Sequence, residues 1–148
     1  MRLLEKIPEL GIVKTWLNGH FMTTKDLLGK PVLVHFWSVS CPTCKNQLKK
    51  INNLQQLYKG DLQVVGVHMP RREEDKDIKR INAHVREYRM TYPVVADNED
   101  LITNAFGIPS VPCYYIFDEN GILRYHQTGS STMSLFERRI HRIVQKAT

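Results

Sequence analysis

The sequence predicts an α/β domain in which a central mixed β-sheet carries helices on both faces. Three observations lead there. Two runs rich in β-branched and aromatic residues, 31–37 and 62–68, are separated by a stretch whose apolar residues recur every three or four positions, which reads as a β-α-β unit with parallel strands. A second pair of strand-like runs, 114–117 and 122–126, flanks the turn residues Asp118-Glu119-Asn120-Gly121, an antiparallel hairpin pattern. The 148 residues amount to a single domain, 1–148, long enough to bury a core without staples.

The remaining elements follow from local chemistry. Residues 13–18 alternate in polarity and end in Asn18-Gly19, an edge strand with a turn and thus an N-terminal β extension. Thr24 to Leu28 form a short helix stopped by Gly29. After Cys41 a helix carries Leu48, Ile51, Leu54, Leu57 and Tyr58 on one buried face until Gly60 ends it. Residues 70–77 are a charged loop running into a helix start, with acids where the helix dipole favours them, and Ile78, Ile81, Val85 and Tyr88 continue as an amphipathic helix. A short strand over 92–96 completes a βα insertion, and residues 99–106 form a helix ended by Gly107 and Pro109. The last helix starts near Ser131 or Thr132 and buries Phe136, Ile140, Ile143 and Val144.

Composition narrows the function classes. An apolar share of 42% and a charged share of 24% exclude disordered and fibrous proteins. No run approaches the eighteen or so apolar residues of a membrane span, and the first residues lack a signal core. The expectation is a cytoplasmic protein with no membrane segment, or an extracytoplasmic one if this N-terminus is truncated. The formal net charge of +6 favours acidic partners, but the basic residues accompany no nucleic-acid motif or aromatic stripe, so nucleic acid is not an expected partner.

Chemistry concentrates at Cys41-Pro42-Thr43-Cys44. Pro42 suits the first turn of a helix, where its missing N–H costs nothing, so Cys41 stands at a helix N-terminus. There the free backbone N–H groups and the macrodipole favour thiolate over thiol. Cys44, about one turn on, is near enough to close a disulfide with it. One Cys-x-x-Cys beside β-α-β patterning reads as a redox dithiol. Structural zinc would need further ligands nearby, and the third cysteine, Cys113, is remote in sequence.

The strand with Phe36-Trp37, the Cys41-Pro42-Thr43-Cys44 pair and Lys45 resemble the thioredoxin superfamily active site. Pro8-Glu9-Leu10 leading to Trp16-Leu17-Asn18, Gly29-Lys30-Pro31 before the central strand, and Val111-Pro112 before the hairpin are similar to the TlpA/ResA-like branch of thiol-disulfide oxidoreductases. Gly66-Val67-His68-Met69-Pro70 and residues 92–98 are similar to thioredoxin-like domains of DipZ-type and NHL-repeat proteins. The resemblance implies a thioredoxin fold with no cofactor. It further implies a monomer that acts on a protein disulfide substrate and exchanges electrons with a second redox partner. Cys41 then attacks and Cys44 resolves, with Pro42, Thr43 and Trp37 in support. Pro112 corresponds to the family's cis-proline, with the Val111 backbone as an edge for an extended substrate. Ser40 stands where thioredoxins carry an aromatic residue, which implies a different substrate preference.

His35 occupies the place of a buried acid that handles the proton of the second cysteine in many thioredoxins, although a satisfied core histidine is the favoured reading of it. The ResA-like branch also uses a glutamate after the next strand, for which Glu73 and His68 are candidates. Cys113 is expected to pack as a small apolar residue. Two other functions compete: a binding or adaptor module whose dithiol is not turned over, and a peroxiredoxin-like peroxidase. For the latter Ser38 fits the signature, but Val34 occupies the place of its proline.

Overall fold

All six residues of strand β2 (Val32–Trp37) are buried, as expected for an apolar strand covered on both faces. In the computed structural model, which describes residues 1–130 and 133–148, this strand lies inside a six-stranded sheet. The other strands are β1 (Trp16–Leu17), β3 (Gln63–His68), β4 (Val94–Ala96), β5 (Cys113–Phe117) and β6 (Leu123–Thr128). Their order is β1-β4-β3-β2-β5-β6. β2 runs parallel to β3, with Trp37 opposite His68, and antiparallel to β5, with Phe36 opposite Cys113. The sheet is therefore mixed, as the sequence implies.

Side-chain alternation along β2 divides the core into two layers. Leu33 and Trp37 face a layer built with α2 (Pro42–Leu57), α3 (Ile78–Glu87) and α5 (Met133–Ala147), whose Leu48, Ile51, Ile81, Phe136 and Ile140 are buried there. Val32, Val34 and Phe36 face the opposite layer, with Leu27 of α1 (Thr24–Leu27) and Ile102 and Phe106 of α4 (Leu101–Phe106). Phe136, Ile140, Ile143 and Val144 of α5 are all buried, while the expected start of that helix at Ser131 or Thr132 lies outside the described residues.

Several boundaries differ from the sequence reading. The edge strand shrinks to Trp16–Leu17, paired antiparallel with β4, and the indole Nε1 of Trp16 donates to the Val13 carbonyl. Leu57 is 70% exposed, because the α2 helix ends at this residue beyond the part that Leu48, Ile51 and Leu54 pack against the sheet. Ile78, the first residue of α3, sits at the surface. The acids before it form a separate 3₁₀ turn, Glu73–Lys76, and the helix cap is Asp77, whose carboxylate accepts the Lys79 N–H at 3.0 Å. α4 starts two residues later than expected, held by the buried Asp97 carboxylate, which accepts the N–H groups of Ile102 and Thr103 at 3.1 and 2.7 Å.

The N-terminal segment docks on the hairpin. The Ile7 N–H donates to the Gly121 carbonyl at 2.8 Å, and the Leu123 N–H donates to that of Glu5 at 2.9 Å. Gly121 has φ of +77°, and a Cβ there would lie 2.8 Å from Leu28 Cδ2 and 3.2 Å from Ile7 Cγ2. The left-handed backbone alone costs an L-residue roughly 1–2 kcal/mol. Gly121→Ala is accordingly expected to destabilise by about 1–2 kcal/mol, read as a lower urea midpoint at unchanged slope.

Candidate active site

Strand β2 ends at Trp37, and a three-residue link delivers the chain to Cys41, the N-cap of α2, with Pro42 at the first helical position. Cys41 and Cys44 are joined as a disulfide with their Cα atoms 5.3 Å apart. The Cys44 N–H donates to Cys41 Sγ at 3.1 Å, so a sulfur does the work that a serine or aspartate oxygen does at an ordinary N-cap. Both cysteines are almost fully buried, at 3% and 2% exposure, while Pro42 and Thr43 between them are exposed. The Val111 carbonyl oxygen stands 3.9 Å from Cys41 Sγ. The Val111–Pro112 peptide is cis, and Pro112 is buried.

The candidate supporting residues separate. His35 lies on the same face of β2 as Trp37, yet its Nε2 meets the Tyr92 hydroxyl at 2.9 Å rather than a cysteine. Burial lowers its pKa from 6.5 to about 3, so the ring is neutral at physiological pH. His68 is fully buried, edge-on to Trp37 with ring centroids 5.0 Å apart. Its Nε2 accepts the Val39 N–H at 3.2 Å, which puts the proton of the neutral ring on Nδ1 and makes His68 a brace for the cysteine loop. Burial, only partly opposed by the Asp75 carboxylate, brings its pKa down to about 4.

Glu73 requires a correction. Its side chain is 86% exposed and pairs with Lys76 at 3.2 Å, a solvated contact on the 3₁₀ turn. The buried carboxylate of that turn belongs to Asp75, two residues on, which the sequence reading passed over inside a charged run. Asp75 Oδ2 accepts from Ser40 Oγ at 2.7 Å, from the Arg71 N–H at 2.9 Å and from Ser38 Oγ at 3.2 Å. Its other oxygen faces Arg80 at 3.4 Å and Arg72 at 3.7 Å. Burial pushes this carboxyl up, but the bonds from Ser40, Arg71 and Ser38 outweigh it and hold the pKa below the ordinary 3.8. The available signal was the pair of serines flanking Val39, two hydroxyls beside a dithiol that need an acceptor.

Cys113 stays apart from this chemistry. It belongs to the layer of Val34 and Phe36, on the far side of the sheet from Cys41 and Cys44, with Thr128 Oγ1 at 3.3 Å. Burial pushes its thiol up.

A model of the AhpC/TSA family matches residues 5–126. The chain belongs to the AhpC/TSA family. The thiol-disulfide oxidoreductase YkuV of Bacillus subtilis (strain 168) is 42% identical over 145 residues, 97% of each chain. The thiol-disulfide oxidoreductase ResA of Geobacillus kaustophilus (strain HTA426) is 29% identical over 134 residues, 88% of this chain and 73% of that protein. Among solved structures, a thioredoxin-like protein in its oxidised form, determined in solution, superposes with a TM-score of 0.90 at 41% identity, covering 99% of each chain. The fold is thioredoxin-like, and the ResA-like resemblance seen in the sequence holds along nearly the whole length.

Two predictions come from the buried charges. His35 and His68 resist protonation when folded but titrate near 6.5 when unfolded, so the unfolded state binds more protons below that pH. Stability is expected to fall as pH drops from about 6.5 towards 4, by up to about 1.4 kcal/mol per pH unit for each ring, and His35→Gln should remove one ring's share from urea unfolding curves across that range. Asp75 follows the same arithmetic at lower pH: its lowered pKa gives stability that is present above 3.8 and lost as pH falls through the folded value. Asp75→Asn should cost about 1–3 kcal/mol at pH 7 and progressively less in the same assay near pH 3.

Proposed function

We propose that this chain is a thiol-disulfide oxidoreductase working by a two-cysteine exchange. The observation that carries the reading is the Cys44 N–H aimed at Cys41 Sγ at the start of α2. A hydrogen bond and a helix dipole acting on one sulfur both favour its thiolate once the disulfide is reduced, and only the first cysteine receives both. Its relatives YkuV and ResA carry this activity in their names.

In the reductive direction the Cys41 thiolate attacks one sulfur of a substrate disulfide. A mixed disulfide forms and the other substrate sulfur leaves as thiolate. Cys44, one helical turn away, then attacks Cys41 Sγ, closing the Cys41–Cys44 disulfide and releasing the second substrate thiol. The substrate gains two electrons and the protein loses two, which a separate redox partner restores. The Val111 backbone, whose carbonyl stands beside Cys41 Sγ, is the edge on which an extended protein substrate lies. The dithiol and this edge come from one chain, which supports action as a monomer. A peroxidase is disfavoured by Val34, which in place of a signature proline is paired within β2 to Val65 and Tyr115.

Insulin-disulfide reduction with dithiothreitol, run beside peroxide consumption, tests the reading: acceleration of the first without the second is expected, and neither would leave a binding module. Cys44→Ser should accumulate mixed disulfides through Cys41, because the resolving thiol is gone, whereas Cys41→Ser should trap little. Stronger trapping by Cys41→Ser, measured by non-reducing electrophoresis and peptide mapping, would reverse the assigned roles.

A further inference from the structure

Beside the dithiol, an open cavity of about 210 Å³ is lined by Ser40, Arg71 and Arg72. Ser40 directly precedes Cys41, so one wall of this cavity stands one residue along the chain from the reacting cysteine. The two arginines are held, not loose. Arg71 Nη1 donates to the Ser40 carbonyl at 2.8 Å, a neutral partner that leaves its charge uncompensated at that contact. Arg72 Nε lies 3.7 Å from Asp75 and 3.9 Å from Glu74. Asp75 also accepts the Arg71 backbone N–H and the Ser40 hydroxyl, so one buried carboxylate ties the Arg71 backbone, the Ser40 hydroxyl and the Arg72 guanidinium together.

The charge count gives the sign of the ligand. Arg71, Arg72 and Arg80 gather around Asp75 and Glu74, an excess of one positive charge, while Glu73 is occupied by Lys76. Guanidinium groups present planar forks of donors that match carboxylates, and a group already anchored loses less entropy on binding than a free surface lysine. A small Ser40 keeps the cavity open where an aromatic side chain would cover it.

We propose that this cavity is a specificity site for an acidic residue flanking the cysteine of the substrate disulfide, so that the protein selects substrates with a carboxylate next to the scissile bond. The inference rests on the disulfide-exchange reading above and names its substrate class. The carboxylate of the substrate docks against Arg71 and Arg72 as the Cys41 thiolate reaches the neighbouring sulfur, which places binding energy one residue from the reacting atoms.

The test uses three disulfide-linked peptides that differ only in the residue flanking cysteine, glutamate, glutamine or lysine, with the whole chain and dithiothreitol as reductant. The glutamate peptide is expected to show a kcat/KM about threefold to tenfold above the glutamine peptide, the lysine peptide is expected to fall below it, and the spread should shrink at about 0.5 M salt. In Arg72→Glu the ranking of the glutamate and lysine peptides should invert. Equal rates for the glutamate and glutamine peptides in the unaltered chain would overturn the proposal, as would a ranking unchanged in the variant. Failure to reduce any of the three would overturn the exchange reading itself, a result distinct from equal rates on all.

Discussion

A sulfur at the N-cap of α2 is the interaction on which the site depends. An N-cap must accept an N–H from the first turn, and oxygen ordinarily does so. Here Cys41 Sγ takes that role from Cys44 N–H, so the bond that begins the helix also joins the two residues of the redox pair. The rest of the chain holds that cap in place. A fully buried β2 fixes where the strand ends, His68 on the neighbouring β3 takes the Val39 N–H, and Val111 closes the far side of the sulfur.

Asp75 solves a second problem created by the first. The link from β2 to α2 crosses the end of the sheet with backbone and hydroxyl groups removed from water, and each unpartnered buried donor would cost about 1–3 kcal/mol. A single carboxylate receives the Ser38 and Ser40 hydroxyls of this link, together with the Arg71 N–H from the loop after β3, and is offset in turn by Arg80 and Arg72. Burying an ion is worthwhile only when its remaining lone pairs are engaged, and here they are. The same arrangement leaves guanidinium groups at the surface next to Cys41, so the network that stiffens the loop also sets the electrostatic character of its rim.

Most of the fold was legible because it rests on period. The strand runs and the three-four spacings of α2 and α5 write themselves into one dimension, as do the Gly107 stop and the proline at the first position of α2. The dithiol was legible for a similar reason, since both its members lie on one helical turn. Asp75 was not: in a run of seven charged residues, Arg71 to Asp77, only the tertiary placement of Ser38 and Ser40 decides which acid turns inward. His35 shows the converse. Its position before Cys41 suggested proton transfer, but its partner Tyr92 lies 57 residues away and arrives through the loop before β4. Glu9 was read only through resemblance, and the structure gives it a cause: its carboxylate accepts the Gly11 and Thr24 N–H groups at 2.7 and 2.8 Å, tying the N-terminal turn to α1.

The period of two along a strand also decides which thiols can exchange. Cys113 follows Pro112 directly, and Pro112 follows the Val111 carbonyl that stands against Cys41, so sequence distance alone would bring a third sulfur close to the dithiol. Pairing prevents it. Phe36 lies opposite Cys113, and Cys113 lies opposite Thr128, which commits the Cys113 side chain to the layer of Phe36 while Trp37 shares the layer of Cys41 and Cys44. A slip of one residue would turn every side chain of β5 to the other face and expel Tyr114 and Ile116 from the α2 layer, a loss of several kcal/mol at about 1.5–3 kcal/mol for each large apolar group. Core packing on β5 thus keeps the exchange chemistry confined to two cysteines, and the sheet register acts as the insulator between them and the third.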